Sequence, residues 1–170
     1  MKHDFIIVDT SGSIISDGVS TVAAINDLLR DMISELDSKG AQDIRIVTYS
    51  DKAQLYWSKS NGKGYLDMSD DLFNGRSNLG KAYEYIGGVI KSEKLCISDC
   101  SLVLISDGEA TDNYKKQLLL IDPDKESYRV ALSLGNVHIT TEKHVVDDDL
   151  SFNGGIADRD AFIDKVSIFH

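Results

Sequence analysis

The sequence predicts an α/β fold, a Rossmann-like three-layer sandwich with a mostly parallel central sheet, one antiparallel edge strand and helices on both faces. Short apolar runs alternate with segments of helical periodicity, which is the pattern of βαβ units. The chain has 170 residues, 42% of them hydrophobic, and one proline. This length suffices for a buried core, so we expect a single domain over residues 1–170.

The first strand is predicted over residues 2–9, where a nearly continuous apolar run indicates burial on both faces, as in parallel sheets. Apolar residues then recur at spacings of three and four over residues 22–36, which predicts an amphipathic helix. A basic residue and a glycine at 39–40 are typical of a helix end. Residues 44–49 are predicted to form the next strand.

A further apolar piece, residues 53–57, follows after three residues, which is too short for a helical crossover. We therefore predict a hairpin at a sheet edge. Residues 58–78 are polar and contain glycines, and long loops of this kind tend to carry function. Helical spacing returns over residues 79–90, where the glycines at 87 and 88 would allow close packing on the sheet.

The second half is predicted to contain a buried strand over residues 102–105, a helix over 114–120 and a strand over 128–134. Residues 138–146 could be extended. The acidic run 147–149 is expected to be a solvated loop, because like charges in a run usually face water. A closing helix is predicted over 161–168, with Asp158 or Asp160 near its start. The order of the elements after Leu134 is left open.

The formal net charge of −10 disfavours nucleic acid as a partner, because phosphate-binding surfaces need clustered Lys and Arg. We also expect no membrane insertion, since no apolar run approaches the roughly 20 residues of a spanning helix. The absence of an export-signal pattern favours the cytoplasm. Cys96 and Cys100 lack metal-ligand spacing, and we expect free thiols without a chemical role.

Oxygen-bearing side chains follow three predicted elements that end at one rim of the sheet. They are Asp9, Ser11 and Ser13 after the first strand, Ser77 before a helix, and Asp107 after a later strand. Ligands of open α/β sheets collect at the carboxyl ends of the strands. Two carboxylates brought together there require a proton or a cation between them.

The three serine hydroxyls add neutral oxygen ligands, so this set favours a hard divalent cation, which for Mg²⁺ means near-octahedral oxygen coordination. Zinc or copper would require His or Cys, and none of His3, His138 and His144 has a partner at ligand spacing.

Each motif also has a purely structural interpretation. Asp, Ser and Gly are common in turns, Ser77 alone is typical of a helix N-cap, and Asp112 alone is typical of a cap or turn. Only the joint arrangement, with Asp9 and Asp107 both ending buried strands, favours a metal site.

The pattern Asp9-x-Ser11-x-Ser13 resembles the DxSxS signature of von Willebrand factor type A domains, whose cation site is called the metal-ion-dependent adhesion site. Ser77 stands in the loop position that threonine usually holds, and Asp107 in that of the later aspartate. The resemblance implies that Ser11 and Ser13 bind the cation directly, Ser77 directly or through water, while Asp9 and Asp107 hold waters and the serines.

The resemblance further implies a coordination position left open for an Asp or Glu of a protein partner, and Mg²⁺, with Mn²⁺ or Ca²⁺ as alternatives. Residues 107–112 resemble the corresponding segment of small bacterial members associated with tellurium resistance and chemical stress.

The leading functional hypothesis is a non-enzymatic, metal-dependent protein-binding module. Because the chain is acidic, we expect a partner with a basic surface around one acidic anchor, and we leave the oligomeric state open. The alternative is a phosphatase of the haloacid-dehalogenase type, with Asp9 as nucleophile and Asp107 and Asp112 around Mg²⁺. Such enzymes need a second aspartate as general acid where this chain has Ser11. A nucleotide-binding domain is less favoured, because no glycine-rich phosphate cradle follows a strand.

Overall fold

A computed structural model of the chain describes residues 1–15, 19–62, 66–107, 110, 112–134, 148–152 and 156–170. Its strands are β1 (His3–Asp9), β2 (Asp43–Tyr49), β3 (Ala53–Ser58), β4 (Cys100–Ser106), β5 (Tyr128–Leu134) and β6 (Asp148–Phe152). Its α-helices are α1 (Gly12–Ile15), α2 (Val19–Ser38), α3 (Leu79–Glu93), α4 (Tyr114–Ile121) and α5 (Ile156–Ser167). Single 3₁₀ turns lie at Lys59–Asn61, Asp70–Leu72 and Ile97–Asp99.

The strands form one six-stranded sheet in the order β3-β2-β1-β4-β5-β6. Neighbouring strands are parallel except for β2 and β3, which pair antiparallel as a hairpin at one edge. The prediction of a mostly parallel sheet with one antiparallel edge strand is therefore confirmed.

Two apolar clusters, one on each face of the sheet, make up the core. Alternate residues of β1 enter different clusters: Ile6 and Val8 pack with side chains of α2 and α5, whereas Phe5 and Ile7 pack with those of α3 and α4. Side chains of a strand alternate between faces, so a strand covered on both sides is apolar throughout. The helices therefore lie on both faces, and the three-layer prediction is confirmed.

The periodic helix of the N-terminal half is α2, whose apolar side chains Ile25, Leu29, Met32 and Leu36 are buried against the sheet. Charged residues such as Asp27 occupy its outer face. Within the described ranges, no helix is both long and apolar enough to cross a bilayer.

The C-terminal part departs from the sequence prediction. Asp148 and Asp149 begin β6, where they pair in register with Val130 and Ala131, so the prediction of a solvated loop is wrong for these two residues. Pairing with β5 overrides the low strand propensity of aspartate. The helix α5 starts at Ile156, five residues before the predicted start. The predicted extended segment 138–146 lies outside the described residues.

The two adjacent glycines of α3 have different surroundings. A Cβ on Gly87 would lie 2.5 Å from Cγ2 of Ile121 in α4, whereas a Cβ on Gly88 would meet nothing within 4 Å. The close approach that we predicted is therefore to a neighbouring helix and not to the sheet.

A buried ion pair fixes the connection from α4 to β5. Asp122 Oδ2 accepts hydrogen bonds from Arg129 Nη2 (2.6 Å) and Ser127 Oγ (2.5 Å), and both charged side chains are almost completely buried. Burial by itself raises the pKa of the Asp122 carboxyl, but the hydrogen bonds from Ser127 and Arg129 outweigh it and lower the pKa below its usual range.

We expect Asp122→Asn to lower the free energy of unfolding at neutral pH by about 3–5 kcal/mol, because it removes the carboxylate charge that faces the buried Arg129 guanidinium. The folded-state pKa of Asp122 is lowered, so its stabilising contribution is present above the unfolded pKa and is lost as the pH falls through the folded pKa. The difference in unfolding free energy between wild type and variant should therefore become smaller in acid. Urea unfolding at neutral and at acid pH measures this difference, with the exposed Asp124→Asn as control. A difference that does not change with pH would contradict the assignment.

The glycine pair allows a matched test of helix contact. Gly88→Ala should raise the free energy of unfolding by about 0.5–1 kcal/mol, because alanine is the better helix former. Gly87→Ala gains the same propensity but forces its Cβ against Ile121, so it should be about 1–3 kcal/mol less stable than Gly88→Ala. Equal stabilities of the two variants in urea unfolding would show that α3 and α4 do not touch at Gly87.

Candidate metal centre

The predicted site residues meet where β1 and β4 end side by side in the sheet. Asp9 is the last residue of β1 and Ser106 the last of β4. The helix α2 that follows β1 covers one face and the helix α3 that precedes β4 covers the other. The chain segments that connect β1 and β4 to these helices therefore run to opposite faces of the sheet. Open α/β sheets bind ligands at such a position.

Asp9 lies at the floor of this site with no exposed surface. Its Oδ1 accepts a hydrogen bond from the backbone N–H of Ser11 (2.9 Å), and its Oδ2 accepts from Ser77 Oγ (2.9 Å) and Ser106 Oγ (2.7 Å). Burial raises the pKa of the Asp9 carboxyl above its usual range, although hydrogen bonds from Ser11 and Ser106 act in the opposite direction. The negative charge of Asp9 is thus only partly compensated by the protein.

Ser13 and Asp107 connect to this carboxylate indirectly, through Ser11. The Oγ atoms of Ser11 and Ser13 are 3.0 Å apart, and Ser13 Oγ donates to Asp107 Oδ2 at 2.5 Å. The structure therefore brings Asp9, Ser11, Ser13, Ser77 and Asp107 into one hydrogen-bonded cluster.

Backbone hydrogen bonds hold the Ser77 loop against the turn after β1. Asn74 N donates to the carbonyl of Thr10 (3.0 Å), and Gly12 N donates to the carbonyl of Gly75 (3.1 Å). Gly75 has a φ of +79°, and a Cβ there would lie 2.7 Å from Oδ2 of Asp51. Only glycine fits this close approach without strain.

The two alternative cap assignments do not match the structure. Asn78, not Ser77, occupies the N-cap position of α3, while the Ser77 hydroxyl donates to Asp9. Asp112 does not cap α4, whose N-cap is Asn113; instead, Asp112 Oδ1 accepts a hydrogen bond from Gly80 N (3.0 Å) in the first turn of α3. Asp112 therefore links the loop after β4 to the helix that follows Ser77.

Sequence reasoning missed two residues of this cluster. Ser106 donates to Asp9, and its position directly before Asp107 at a strand end was the available signal. Tyr49, the last residue of β2, is buried, and its hydroxyl interacts with Ser106, Ser77 and the charge of Asp9. Burial and then the Asp9 charge raise the pKa of Tyr49 well above its usual range, so the phenol stays neutral.

The donor chemistry of the cluster fits a hard divalent cation. In a regular octahedron with metal–oxygen distances of about 2.1 Å, adjacent oxygens are about 3.0 Å apart. The Oγ atoms of Ser11 and Ser13, which are hydrogen-bonded to each other, are already this far apart, so both could bind one ion without moving apart. Among the residues that the structure describes, no three His, Cys, Asp or Glu side chains are grouped to hold a metal. The oxygen atoms of this cluster belong to two carboxylates and to serine hydroxyls.

Many solved structures resemble this chain, among them the following three. A von Willebrand factor type A structure from Catenulispora acidiphila is 15% identical with a TM-score of 0.64, covering 98% of this chain and 41% of that one. The chain has the von Willebrand factor type A fold. Proximal thread matrix protein 1 from the mussel byssus, with a zinc-occupied metal-ion-dependent adhesion site, is 14% identical with a TM-score of 0.74, covering 99% of this chain and 48% of that one.

The third structure, the manganese-loaded TRAP protein of Plasmodium vivax, is 13% identical with a TM-score of 0.67, covering 99% of this chain and 73% of that one. The chain thus spans less than half the length of the first two. No family model and no curated protein matches the sequence.

We expect Ser106→Ala to lower the free energy of unfolding by about 1.5–3 kcal/mol in the presence of a chelator, because the buried Asp9 carboxylate loses one of its donors. The exposed Ser98→Ala serves as control and should stay within about 0.5 kcal/mol of wild type. Urea unfolding measures both variants, and equal losses would show that the bond to Asp9 contributes nothing.

Proposed function

We propose that this chain is a protein-binding module that holds Mg²⁺ through Asp9, Ser11, Ser13, Ser77 and Asp107 and uses the ion to bind an Asp or Glu of a protein partner. The observation that carries the proposal is the convergence of three serine hydroxyls and two carboxylates in one hydrogen-bonded cluster at the end of β1. The resemblance of the fold to metal-containing von Willebrand factor type A structures supports it.

The hydroxyls and the carboxylates would have different tasks. Ser77 and Ser13 direct their protons to Asp9 and Asp107, which leaves oxygen lone pairs of the serines for a cation. Asp9 and Asp107 orient the serines and would hold water bound to the ion. Such outer groups fix the geometry of the direct ligands.

Neutral direct ligands leave the charge of the cation uncompensated by its nearest neighbours. When bound, the ion would supply a positive charge at the rim that attracts an incoming carboxylate. We propose Mg²⁺ rather than zinc because the cluster presents only oxygen atoms, which suit Mg²⁺ and Mn²⁺, whereas zinc prefers nitrogen and sulfur ligands.

A role in tellurium resistance or chemical stress stays a prediction from the resemblance of residues 107–112. Residues 108, 109 and 111 of this segment lie outside the described part of the chain.

The geometry around Asp9 argues against the phosphatase alternative. A nucleophilic aspartate needs a carboxylate oxygen that faces the substrate, but Asp9 has no exposed surface and both of its oxygens accept hydrogen bonds. Asp112, the other expected Mg²⁺ ligand of such an enzyme, accepts a hydrogen bond from Gly80 N at the start of α3.

Isothermal titration calorimetry with Mg²⁺ tests the site. Wild type should bind the ion, and Ser13→Ala and Asp9→Asn should each weaken binding by about tenfold or more, because one removes a direct ligand and the other a charge that orients the ligands. The control Ser98→Ala should bind as wild type does. Absence of heat with the wild-type protein, or equal affinities for Ser13→Ala and Ser98→Ala, would contradict the proposed site.

A further inference from the structure

A groove lies between the start of β3 and the outer side of α3. Its volume is about 550 Å³. Lys52 and Ala53 line one wall, and α3 forms the other with residues that include Lys81, Glu84, Tyr85, Gly88 and Val89. The lining thus combines two lysines and one glutamate with a less polar stretch around Gly88.

Backbone hydrogen bonds connect the lysines of the groove to the residue that follows Ser77. Asn78 accepts a hydrogen bond from Lys81 N (3.0 Å) and donates one to the carbonyl of Ser50 (3.2 Å). Ser50 N in turn donates to the carbonyl of Lys52 (2.9 Å). Lys81 is therefore one backbone hydrogen bond from Asn78, and Lys52 is two.

Gly88 keeps the middle of the groove open. It is an exposed residue inside α3, a position where alanine would stabilise the helix, and nothing lies within 4 Å of where its Cβ would be. Gly87 is explained by its contact with α4, but no contact with the described residues explains Gly88. The missing side chain leaves room between Tyr85 and Val89.

The charge at the groove differs from that of the whole chain. The chain has a formal charge of −10, yet two lysines and only one glutamate line the groove. Lys81 shares its charge with Glu84 in an exposed pair (3.4 Å). Lys52 makes no ion pair with any residue in the described ranges, so its ammonium group is complementary to an acidic group of a partner.

We propose that the groove binds an extended segment of the partner protein, next to the acidic residue that anchors at the metal. The segment would place a second acidic side chain against Lys52 and Lys81 and an apolar side chain over Gly88. The rise from Lys81 to Gly88 along α3 is about 10 Å, and an extended chain covers this distance in about three residues. The inference rests on the proposed function, since the anchor is the metal-bound carboxylate.

This inference refines the expectation of a basic partner surface. Most of the acidic surface favours basic partners, but the groove would select acidic and apolar residues. The combination would restrict binding to segments that carry both features in the right order.

A display library of short random peptides with one fixed central Asp is the probe, selected on the wild-type chain in Mg²⁺. Enriched peptides should carry a second acidic residue near the fixed Asp. An apolar residue should follow about three positions from this second acidic residue. Gly88→Phe, which fills the groove, should weaken their binding by about tenfold or more. Gly88→Ala should stay within about twofold of wild type, because a methyl group leaves the groove open.

The charged end has its own matched pair of variants. Lys52→Glu should weaken the enriched peptides by about threefold or more, with a larger effect at low salt. Lys116→Glu, the same charge change on the exposed side of α4, should have no effect. Calorimetry with Mg²⁺ alone should give the same heat for Gly88→Phe as for wild type. The loss of peptide binding in this variant would then come from the groove and not from the metal site.

Three results would overturn the groove assignment while leaving the metal site intact. In the first, the peptides bind Gly88→Phe as tightly as wild type. In the second, the selection enriches no peptide although Mg²⁺ binds. In the third, the chain self-associates and Gly88→Phe abolishes the self-association, so that a second copy of the chain is the occupant of the groove. Failure of Mg²⁺ to bind the wild-type chain would instead overturn the proposed function.

Discussion

The buried carboxylate of Asp9 is the constraint around which the rim of the sheet is organised. A charge without solvent contact is costly unless it receives several hydrogen bonds. The donors come from three distant parts of the chain: the Ser11 backbone, the Ser77 loop and the end of β4 at Ser106. One side chain therefore ties together segments that approach each other only when the sheet is complete.

The fold was largely predictable because its signals are local. Apolar runs and helical spacing predicted the strands and helices up to β5, since a strand covered on both faces and an amphipathic helix have distinct periods. The short helix α1 was not predicted, because its four residues carry no periodic signal. The strand β6 was missed because its first residues are aspartates, and its position is set by pairing with β5.

The candidate site was predictable as a set of residues but not as a network. Strand ends predicted that Asp9 and Asp107 would be neighbours, and the structure places the three serines with them. Ser106 and Tyr49 were missed because a single polar residue at a strand end has no motif. The groove was equally hidden, since Lys52 and Gly88 are distant in sequence and only the packing of α3 beside β3 joins them.

The contact of Gly87 with Ile121 has a mechanical consequence for the rim. It lets α3 and α4 touch, and the bond from Gly80 N to Asp112 joins the same two helices near their N-terminal ends. Ser77 leads into α3, and Asp107 lies on the segment that leads into α4. A displacement of α3 would therefore be passed on to α4 through both contacts, so that the two helices move together beside the Ser77 loop.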